Sequence, residues 1–78
     1  MAEESMLLHS FQKNATEEVR ISVNTYKGKK YIDIRVYYQD DSGDYKPSKK
    51  GVALSPELLE ELQKGIDKLK QSLSEEAV

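Results

Sequence analysis

Aromatic and cationic side chains are concentrated in the middle of this 78-residue sequence. The segment Tyr26-Lys27-Gly28-Lys29-Lys30 places one ring and three cations around a short turn. Further members of the set are Arg35, Tyr37, Tyr38, Lys46, Lys49 and Lys50. A surface that binds single-stranded nucleic acid needs cations that follow the phosphates and flat rings on which unpaired bases stack. These residue types therefore favour sequence-tolerant binding of a single strand, although tyrosine is common in strands and turn lysines often serve only solubility.

The distribution of charge supports a localised site for a polyanion. The net charge is −2, but residues 19–50 carry eight bases against four acids, a net charge of +4. Residues 1–18 and residues 51–78 each carry a net charge of −3. A basic segment between acidic ends is typical of a surface that attracts a polyanion. An evenly solvated surface is the alternative that charge alone leaves open.

Catalytic and metal-binding chemistry has little support in the sequence. There is no cysteine, and the single histidine, His9, has no acidic residue at a useful local spacing. Asp40 and Asp41 lie in a Ser-Gly turn, where carboxylates serve turn formation and solubility. No glycine-rich phosphate-binding loop precedes a helix. We therefore expect a protein that is not an enzyme and that uses no metal or cofactor.

Two segments alternate between apolar and polar residues with the period of a half-buried strand. Residues 17–26 place four β-branched side chains on one face, Val19, Ile21, Val23 and Thr25, and residues 30–39 place three, Ile32, Ile34 and Val36. Lys27-Gly28, between the two segments, predicts a hairpin turn. Residues 40–43 give a second turn signal.

The remaining strands are less regular. A third strand is expected over about residues 44–54, where Pro47 indicates an edge position or a bulge. Met6-Leu7-Leu8 and Phe11 indicate a short edge strand, in front of which residues 2–5 are expected to fray. Residues 13–16 are expected to form a turn.

A helix is predicted to begin at Ser55-Pro56-Glu57, because serine can accept hydrogen bonds from unpaired amides, proline suits the first position and an acid suits the positive end of the dipole. It is expected to end at about Ser72. An apolar stripe follows at spacings of three and four residues: Leu59, Leu62, Ile66, Leu69 and Leu73. Because the stripe is narrow, we expect it to pack on the sheet and on the helix of a second copy. The expected dimer interface comprises Leu59, Leu62, Ile66 and Leu69.

Together these elements predict an α+β fold: a curved antiparallel sheet of three to four strands, followed by one C-terminal helix that covers one sheet face, in a homodimer. The expected boundaries are an N-terminal tail or short edge strand over residues 1–10, a nucleic-acid-binding domain over residues 11–73 and a disordered tail over residues 74–78. A chain of this size buries only about 60% of the surface that its unfolded form exposes. Without disulfides, oligomerisation is the expected means of stabilisation.

The alternation raises a difficulty for Tyr38. Strict period-two geometry places it on the apolar face of Ile34 and Val36, and places Lys46 on the face of Val52. Either the strand ends project beyond the covered core, or a bulge near Pro47 switches the faces. A core-edge aromatic is the structural alternative for Tyr38.

Three short motifs carry a family resemblance. They are aromatic-Lys-Gly-Lys at residues 26–29, Ile-Asp-Ile-Arg at residues 32–35, and Lys-Pro-x-basic-Lys-Gly at residues 46–51, which a Leu-x-Pro-Glu helix start follows at residues 54–57. The sequence thereby resembles, over about residues 11–70, the positive cofactor four family of transcriptional coactivators, whose C-terminal domain binds single-stranded DNA. The resemblance implies a dimer whose helices pair and whose sheets form two grooves for unpaired strands.

Carried onto matching positions, the resemblance implies eight nucleic-acid contacts: Tyr26, Lys27, Lys29, Arg35, Tyr38, Lys46, Lys49 and Lys50. In this interpretation the lysines neutralise phosphates, Arg35 pairs or stacks, and the two tyrosines stack on bases. The family commonly has tryptophan where Tyr38 stands and arginine where Lys49 stands, and a basic residue can occur where Asn24 stands. Tyrosine offers less stacking area and lysine lacks the guanidinium fork. We therefore expect weaker or differently selective binding.

The expected partner is single-stranded DNA during replication, repair, transcription or uptake. RNA binding by the same groove, and docking of a transcription or replication protein on the sheet, are the alternatives. The serine-rich acidic region of the animal coactivator does not occur in this sequence, so a stand-alone bacterial relative is expected. No apolar run approaches the roughly 18 residues of a membrane span, and the N-terminus is acidic. We therefore expect no membrane association and a cytoplasmic location, associated with the nucleoid if the protein is bacterial.

Overall fold

The structure, a computed structural model, describes residues 4–76 and consists of one four-stranded sheet followed by a helix. The strands are β1 (Glu4–Gln12), β2 (Glu17–Tyr26), β3 (Lys29–Gln39) and β4 (Tyr45–Leu54). A 3-10 turn (Pro56–Leu58) leads into α1 (Leu59–Glu76). The sheet order is β1-β2-β3-β4, and each strand pairs antiparallel with the next. This open sheet with a C-terminal helix is the predicted fold class.

The two central strands pair in the register that their alternation predicts. Val19, Ile21 and Val23 of β2 lie opposite Val36, Ile34 and Ile32 of β3. Because direct partners in an antiparallel pair share a face, these six side chains form one surface, which we call the apolar face. Its counterpart, the polar face, carries Glu18, Arg20, Ser22, Asn24 and Tyr26 of β2 opposite Tyr37, Arg35, Asp33, Tyr31 and Lys29 of β3.

Tight turns join β2 to β3 and β3 to β4. Lys27 and Gly28 have φ values of 50° and 77°, as a type I′ hairpin turn requires at both central positions. In the second turn, the Asp40 carboxylate oxygen Oδ1 accepts hydrogen bonds from the backbone amides of Ser42 at 2.9 Å and Asp44 at 3.0 Å. Both predicted turns are therefore confirmed, with the turn chemistry expected of these residue types.

The edge strand β1 is longer than predicted. It begins at Glu4, so pairing includes Glu4 and Ser5, which were expected to fray, because these residues continue the ladder opposite Thr25 and Asn24 of β2. The Ser5 hydroxyl also donates to the Asn24 side-chain oxygen at 2.8 Å. The rest of the predicted frayed segment, Ala2 and Glu3, lies outside the described residues.

Strand β4 is an edge strand with the irregularity that Pro47 suggested. Arg35 pairs with Gly51 and Tyr37 with Pro47, so β4 has two more residues than β3 between these pairs. The period of two is therefore retained across the bulge, and Lys46 lies opposite Tyr38. Tyr38 and Lys46 consequently stay on the apolar face, and the face switch considered for them does not occur.

The sheet curls towards its polar face. Gln12 of β1 donates from its side chain to the Tyr45 hydroxyl of β4 at 3.1 Å. In a flat sheet, three strand spacings would separate the two edge strands by about 14 Å. Ser22 and Asp33, near the centre of the polar face, are each only 5% exposed and are the buried polar residues among residues 4–76. The concave interior of this chain is therefore polar.

The helix does not cover the sheet face, and that part of the prediction is wrong for the single chain. Helix α1 packs chiefly against the 3-10 turn that precedes it. Its stripe is open, with Leu69 62% exposed, and no hydrophobic residue among residues 4–76 is buried. The turn at Ser55 directs the helix away from the sheet, so the helix and the apolar face do not cover each other within residues 4–76.

The helix is also longer than predicted, because it continues past Ser72 to Glu76. No glycine or proline follows Ser72 to stop it. The predicted tail is therefore helical over residues 74–76, and Ala77 and Val78 lie outside the described residues. Within the described part of the chain, no helix is long and apolar enough to cross a membrane.

Candidate nucleic-acid interface

One end of the sheet carries the first predicted cluster, which we call the hairpin end: Tyr26, Lys27, Lys29 and Lys30. The type I′ turn holds Tyr26 directly opposite Lys29. Tyr26 is 40% exposed, and the Lys27 Nζ lies 5.4 Å from the centroid of its ring, a cation–π distance. Lys29 and Lys30 are exposed. The hairpin end thus presents an accessible ring beside several cations.

The opposite end of β3 carries a second ring beside a cation, and we call it the turn end. Tyr38 is 44% exposed and lies directly opposite Lys46. The Lys46 Nζ is 3.7 Å from the Asp40 Oδ2, so this lysine is held near the β3–β4 turn. Tyr38 lies nine positions after Lys29 along β3, about 30 Å at 3.3 Å per residue. The two rings therefore lie at opposite ends of the sheet.

The β4 bulge displays Lys49 and Lys50. The Ser48 hydroxyl donates to the Val36 carbonyl oxygen at 2.7 Å and accepts from the Lys50 amide at 3.1 Å. These bonds fix the backbone of the bulge and leave both lysine side chains exposed. The bulge also depends on Gly51, where an added Cβ would meet the Ile34 carbonyl oxygen at 2.6 Å.

Arg35 lies on the polar face and is engaged by the protein itself. Its Nη2 donates to the Asp33 Oδ1 at 3.0 Å and its Nη1 donates to the Ser48 carbonyl oxygen at 3.0 Å. The hydrogen bond to Asp33 raises the pKa of Arg35 above its ordinary value, and burial opposes this effect. Arg35 therefore ties β4 to β3 at the bulge, and its role in binding stays a prediction.

A third cluster was missed by sequence reasoning. Arg20 of β2 lies with its guanidinium carbon 4.4 Å from the ring centroid of Tyr37 and 5.6 Å from that of Tyr45. Its Nε also donates to the Glu18 carboxylate. The alternation of side chains along the two predicted strands could have predicted that Arg20 and Tyr37 lie on the same face of the sheet. The approach of Tyr45, from two strands away, depends on the curl of the sheet.

The predicted contact residues do not share one face of the single chain. Tyr26, Lys29 and Arg35 belong to the polar face, whereas Tyr38 and Lys46 belong to the apolar face. The expectation that rings and cations on neighbouring strands form one surface is therefore met only in part. Of the predicted dimer residues, Leu59, Ile66 and Leu69 are exposed and Leu62 is half-buried. Residues 4–76 contain no group of three or more acidic, histidine or cysteine side chains that could hold a metal ion.

Comparison with known proteins assigns this architecture to a family. A family model described as Transcriptional Coactivator p15 (PC4) matches residues 13–65, which run from the first turn into the helix. The RNA polymerase II transcriptional coactivator SUB1 of Saccharomyces cerevisiae is 46% identical over 46 residues, covering 58% of this chain and 16% of that protein. The coactivator KIWI of Arabidopsis thaliana is 36% identical over 62 residues, covering 80% of this chain and 57% of that protein. The chain therefore spans less than two-thirds of either relative.

Solved structures agree with this assignment. The PC4 homologue of Burkholderia pseudomallei K96243 superposes with a TM-score of 0.80 at 31% identity, covering 90% of this chain and 95% of that one. A bacteriophage T5 homologue of PC4, implicated in recombination-dependent DNA replication, gives a TM-score of 0.60 at 28% identity, with 96% and 81% covered. The chain belongs to the Transcriptional Coactivator p15 (PC4) family. The resemblance seen in residues 26–57 is thereby confirmed.

Proposed function

We propose that this protein binds single-stranded DNA without strong sequence preference, through the hairpin end, the turn end and the β4 bulge. The observation that carries the proposal is the repeated pairing of an exposed tyrosine with a lysine, Tyr26 with Lys27 and Tyr38 with Lys46. Rings stack on unpaired bases of any sequence, at about 1–3 kcal/mol per base, while lysines neutralise phosphates. Membership of the PC4 family supports the same function.

The protein acts, on this proposal, as a homodimer. The helix stripe and the apolar face are both open in the single chain, and an open cavity of about 470 Å³ on that face is lined by residues including Met6, Leu8 and Val23. A second copy supplies apolar side chains to cover both surfaces at once. Each fully buried leucine contributes about 1.5–3 kcal/mol, which is a large fraction of the stability of so small a domain.

Dimerisation also explains how Tyr38 remains available on the apolar face. The last apolar pair of the face is Val19 with Val36, and Tyr38 lies beyond it, opposite Glu17 at the end of β2. If a second copy packs over the apolar pairs of β2 and β3, the end of the face that carries Tyr38 lies at the edge of the dimer interface. Tyr38 and Lys46 then meet the strand beside the covered surface.

The oligomeric state is tested by Leu69→Glu, which places a charge on the exposed stripe, with Gln71→Glu on the opposite side of the helix as the matched control. Sedimentation should show a monomer for Leu69→Glu and a dimer for the control and the unchanged protein. A monomer for the unchanged protein at micromolar concentration would refute the dimer.

Binding is tested by fluorescence anisotropy of a labelled oligo-dT of about 20 nucleotides, longer than a single site of about 4–16 nucleotides. Duplex DNA and single-stranded RNA serve as competitors. We expect salt-sensitive binding, with a log–log slope of about −0.7 for each phosphate contacted, that duplex DNA competes poorly. Effective competition by RNA would favour RNA as the ligand. No binding at tens of micromolar protein in low salt would refute the proposal.

The second candidate is a module that docks a protein of transcription or replication on the sheet. It is favoured by the names of the relatives, which are transcriptional coactivators in yeast and plant. The open edge strand β1, with Met6, Leu7 and Leu8 exposed, offers a surface for such a partner. This candidate would be favoured if the present protein bound a transcription or replication protein through its sheet but showed no measurable affinity for oligonucleotides.

A further inference from the structure

The centre of the polar face contains two arginines directly opposite each other. Arg20 of β2 pairs with Arg35 of β3. Each has an acid two residues before it on its own strand, Glu18 for Arg20 and Asp33 for Arg35. Like charges placed opposite each other in a sheet destabilise it. The two acids offset the repulsion, so both guanidinium groups are held in the concave interior as charged groups.

The two arginines differ in how far the protein uses their donors. Arg35 donates from Nε and both terminal nitrogens to Asp33 and Ser48. Arg20 donates from Nε to Glu18, and its two terminal nitrogens donate to no acceptor within residues 4–76. The side chain of Arg20 is 27% exposed and therefore reachable from solvent. Of the two arginines, Arg20 is therefore the one whose terminal nitrogens can donate hydrogen bonds to a ligand.

Two tyrosines hold the plane of that guanidinium group. The Tyr37 and Tyr45 rings lie 4.4 Å and 5.6 Å from the guanidinium carbon. The Tyr45 hydroxyl accepts from Gln12 across the concave face, which fixes its ring. Stacking on the two rings and the hydrogen bond to Glu18 already restrict the rotamers of Arg20. Less side-chain conformational entropy is therefore lost when Arg20 binds a ligand. A pre-oriented guanidinium fork suits a planar, bidentate pair of phosphate oxygens.

We propose that Arg20, oriented by Tyr37 and Tyr45, binds a phosphate of the single strand on the concave polar face. This inference rests on the proposed function and extends it, since Arg20 is not among the contacts that the family motifs imply. The site continues the line of the hairpin end, because Tyr26 belongs to the same face of the same strand, six residues away. A strand that stacks on Tyr26 and runs along β2 reaches Arg20 after about 20 Å.

Arg20→Gln removes the charge and shortens the fork, whereas Arg20→Lys keeps the charge. Lys64→Gln is the matched control, because it removes one exposed positive charge from helix α1, on the side opposite the apolar stripe and away from the sheet. We expect Arg20→Gln to weaken oligo-dT binding about tenfold and to reduce the magnitude of the salt slope by about 0.7, one phosphate contact. Arg20→Lys should retain the salt slope and lose less affinity, and Lys64→Gln should retain the slope.

A purely structural role predicts a different pattern. In that case Arg20→Gln lowers thermal stability but leaves the salt slope unchanged, and this result would overturn the inference. Replacing both Lys27 and Lys29 by glutamine distinguishes failure of the Arg20 contact from failure of the proposed function. If this double variant reduces the salt slope while Arg20→Gln leaves it unchanged, only the Arg20 contact is refuted. Absence of oligo-dT binding by the unchanged protein refutes the proposed function itself, and this inference with it.

An experiment on the unchanged protein removes any dependence on the folding of variants. Arg20 and Arg35 are the only arginines in the sequence, so the arginine Nε–Hε region of an NMR spectrum contains two resonances. Titration with oligo-dT should shift the Arg20 resonance, and the titration should saturate at the stoichiometry seen by anisotropy. An Arg20 resonance that stays fixed while backbone resonances of the hairpin end shift would overturn the inference.

Discussion

Replacement of Gly51 by alanine tests how closely β4 approaches β3 beside the bulge. The new Cβ would lie 2.6 Å from the Ile34 carbonyl oxygen and 2.9 Å from the Arg35 Cα. Both are backbone atoms, so no side chain can rotate away. The strands must separate by about 0.8 Å before the shorter distance reaches 3.4 Å, the start of ordinary contact. We expect the free energy of unfolding to fall by about 1–3 kcal/mol, the usual range for overpacking.

The loss of stability caused by Gly51→Ala can be compared with the effect of the same substitution at a second glycine, Gly65. Gly65 lies within helix α1, where an added Cβ meets nothing within 4 Å. Gly65→Ala should therefore stabilise the helix by about 0.8–1.0 kcal/mol. In a domain of this size, 1 kcal/mol shifts the melting temperature by about 4–8 °C. The two glycine-to-alanine changes should move the melting temperature in opposite directions.

The assay is thermal unfolding followed by circular dichroism at one fixed protein concentration, because the stability of a dimer depends on concentration. A loss of oligo-dT affinity by Gly51→Ala that exceeds its loss of stability would indicate that the bulge also positions Lys49 and Lys50. Unchanged stability for Gly51→Ala would refute the close approach of β4 to β3. A destabilised Gly65→Ala would indicate that a second copy packs against the helix at that position.

Three further outcomes are expected. Lys27→Gln with Lys29→Gln should reduce the magnitude of the salt slope for oligo-dT by about 1.4, two phosphate contacts, and an unchanged slope would contradict the role of the hairpin end. Tyr38→Ala should weaken binding by about 1–3 kcal/mol, measured by anisotropy, while Tyr38→Trp should retain or strengthen it; equal affinities for all three proteins would show that this ring does not stack. A hydrogen bond from Asn14 lowers the pKa of Glu17, so this stabilisation is present above the ordinary carboxylate pKa and is lost as the pH falls through the lowered value. Asn14→Ala should therefore raise the Glu17 pKa in an NMR titration, and a pKa that stays in place would contradict that cause.

The polar interior gives the single chain an unusual distribution of side chains. Charged and hydroxyl groups line the concave face, and the β-branched residues lie on the convex face, where none is fully buried. Buried hydrogen-bonded pairs such as Asp33 with Arg35 contribute little net stability by themselves, but they cost several kcal/mol when one partner is removed. Residues 4–76 do not fully bury any hydrophobic side chain, and this observation supports the proposed dimer.

Local chemistry allowed most of the secondary structure to be predicted from the sequence. The alternation of Val19, Ile21 and Val23 defines a half-buried strand because successive side chains of a strand point to opposite faces. Lys27-Gly28 specifies a type I′ turn, since glycine adopts positive φ at little cost. Pro56 begins the 3-10 turn that leads into the helix at Leu59, a local effect of proline at a first helical position, whereas the capping bond expected from the Ser55 side chain is not formed. The motifs within residues 26–57 were also sufficient to predict the family, and with it the candidate contact residues.

Tertiary structure decided what depends on residues far apart in the chain. The curl of the sheet brings Gln12 to Tyr45 and Tyr45 to Arg20, and it accumulates over four strands, so no local window contains it. The prediction that the helix covers the sheet failed for the same reason: an apolar stripe specifies that a surface will be covered, but not by which chain. Sequence periodicity thus determined the faces of each element, while the assembly of those elements determined which side chains from distant strands, such as Arg20 and Tyr45, come into contact.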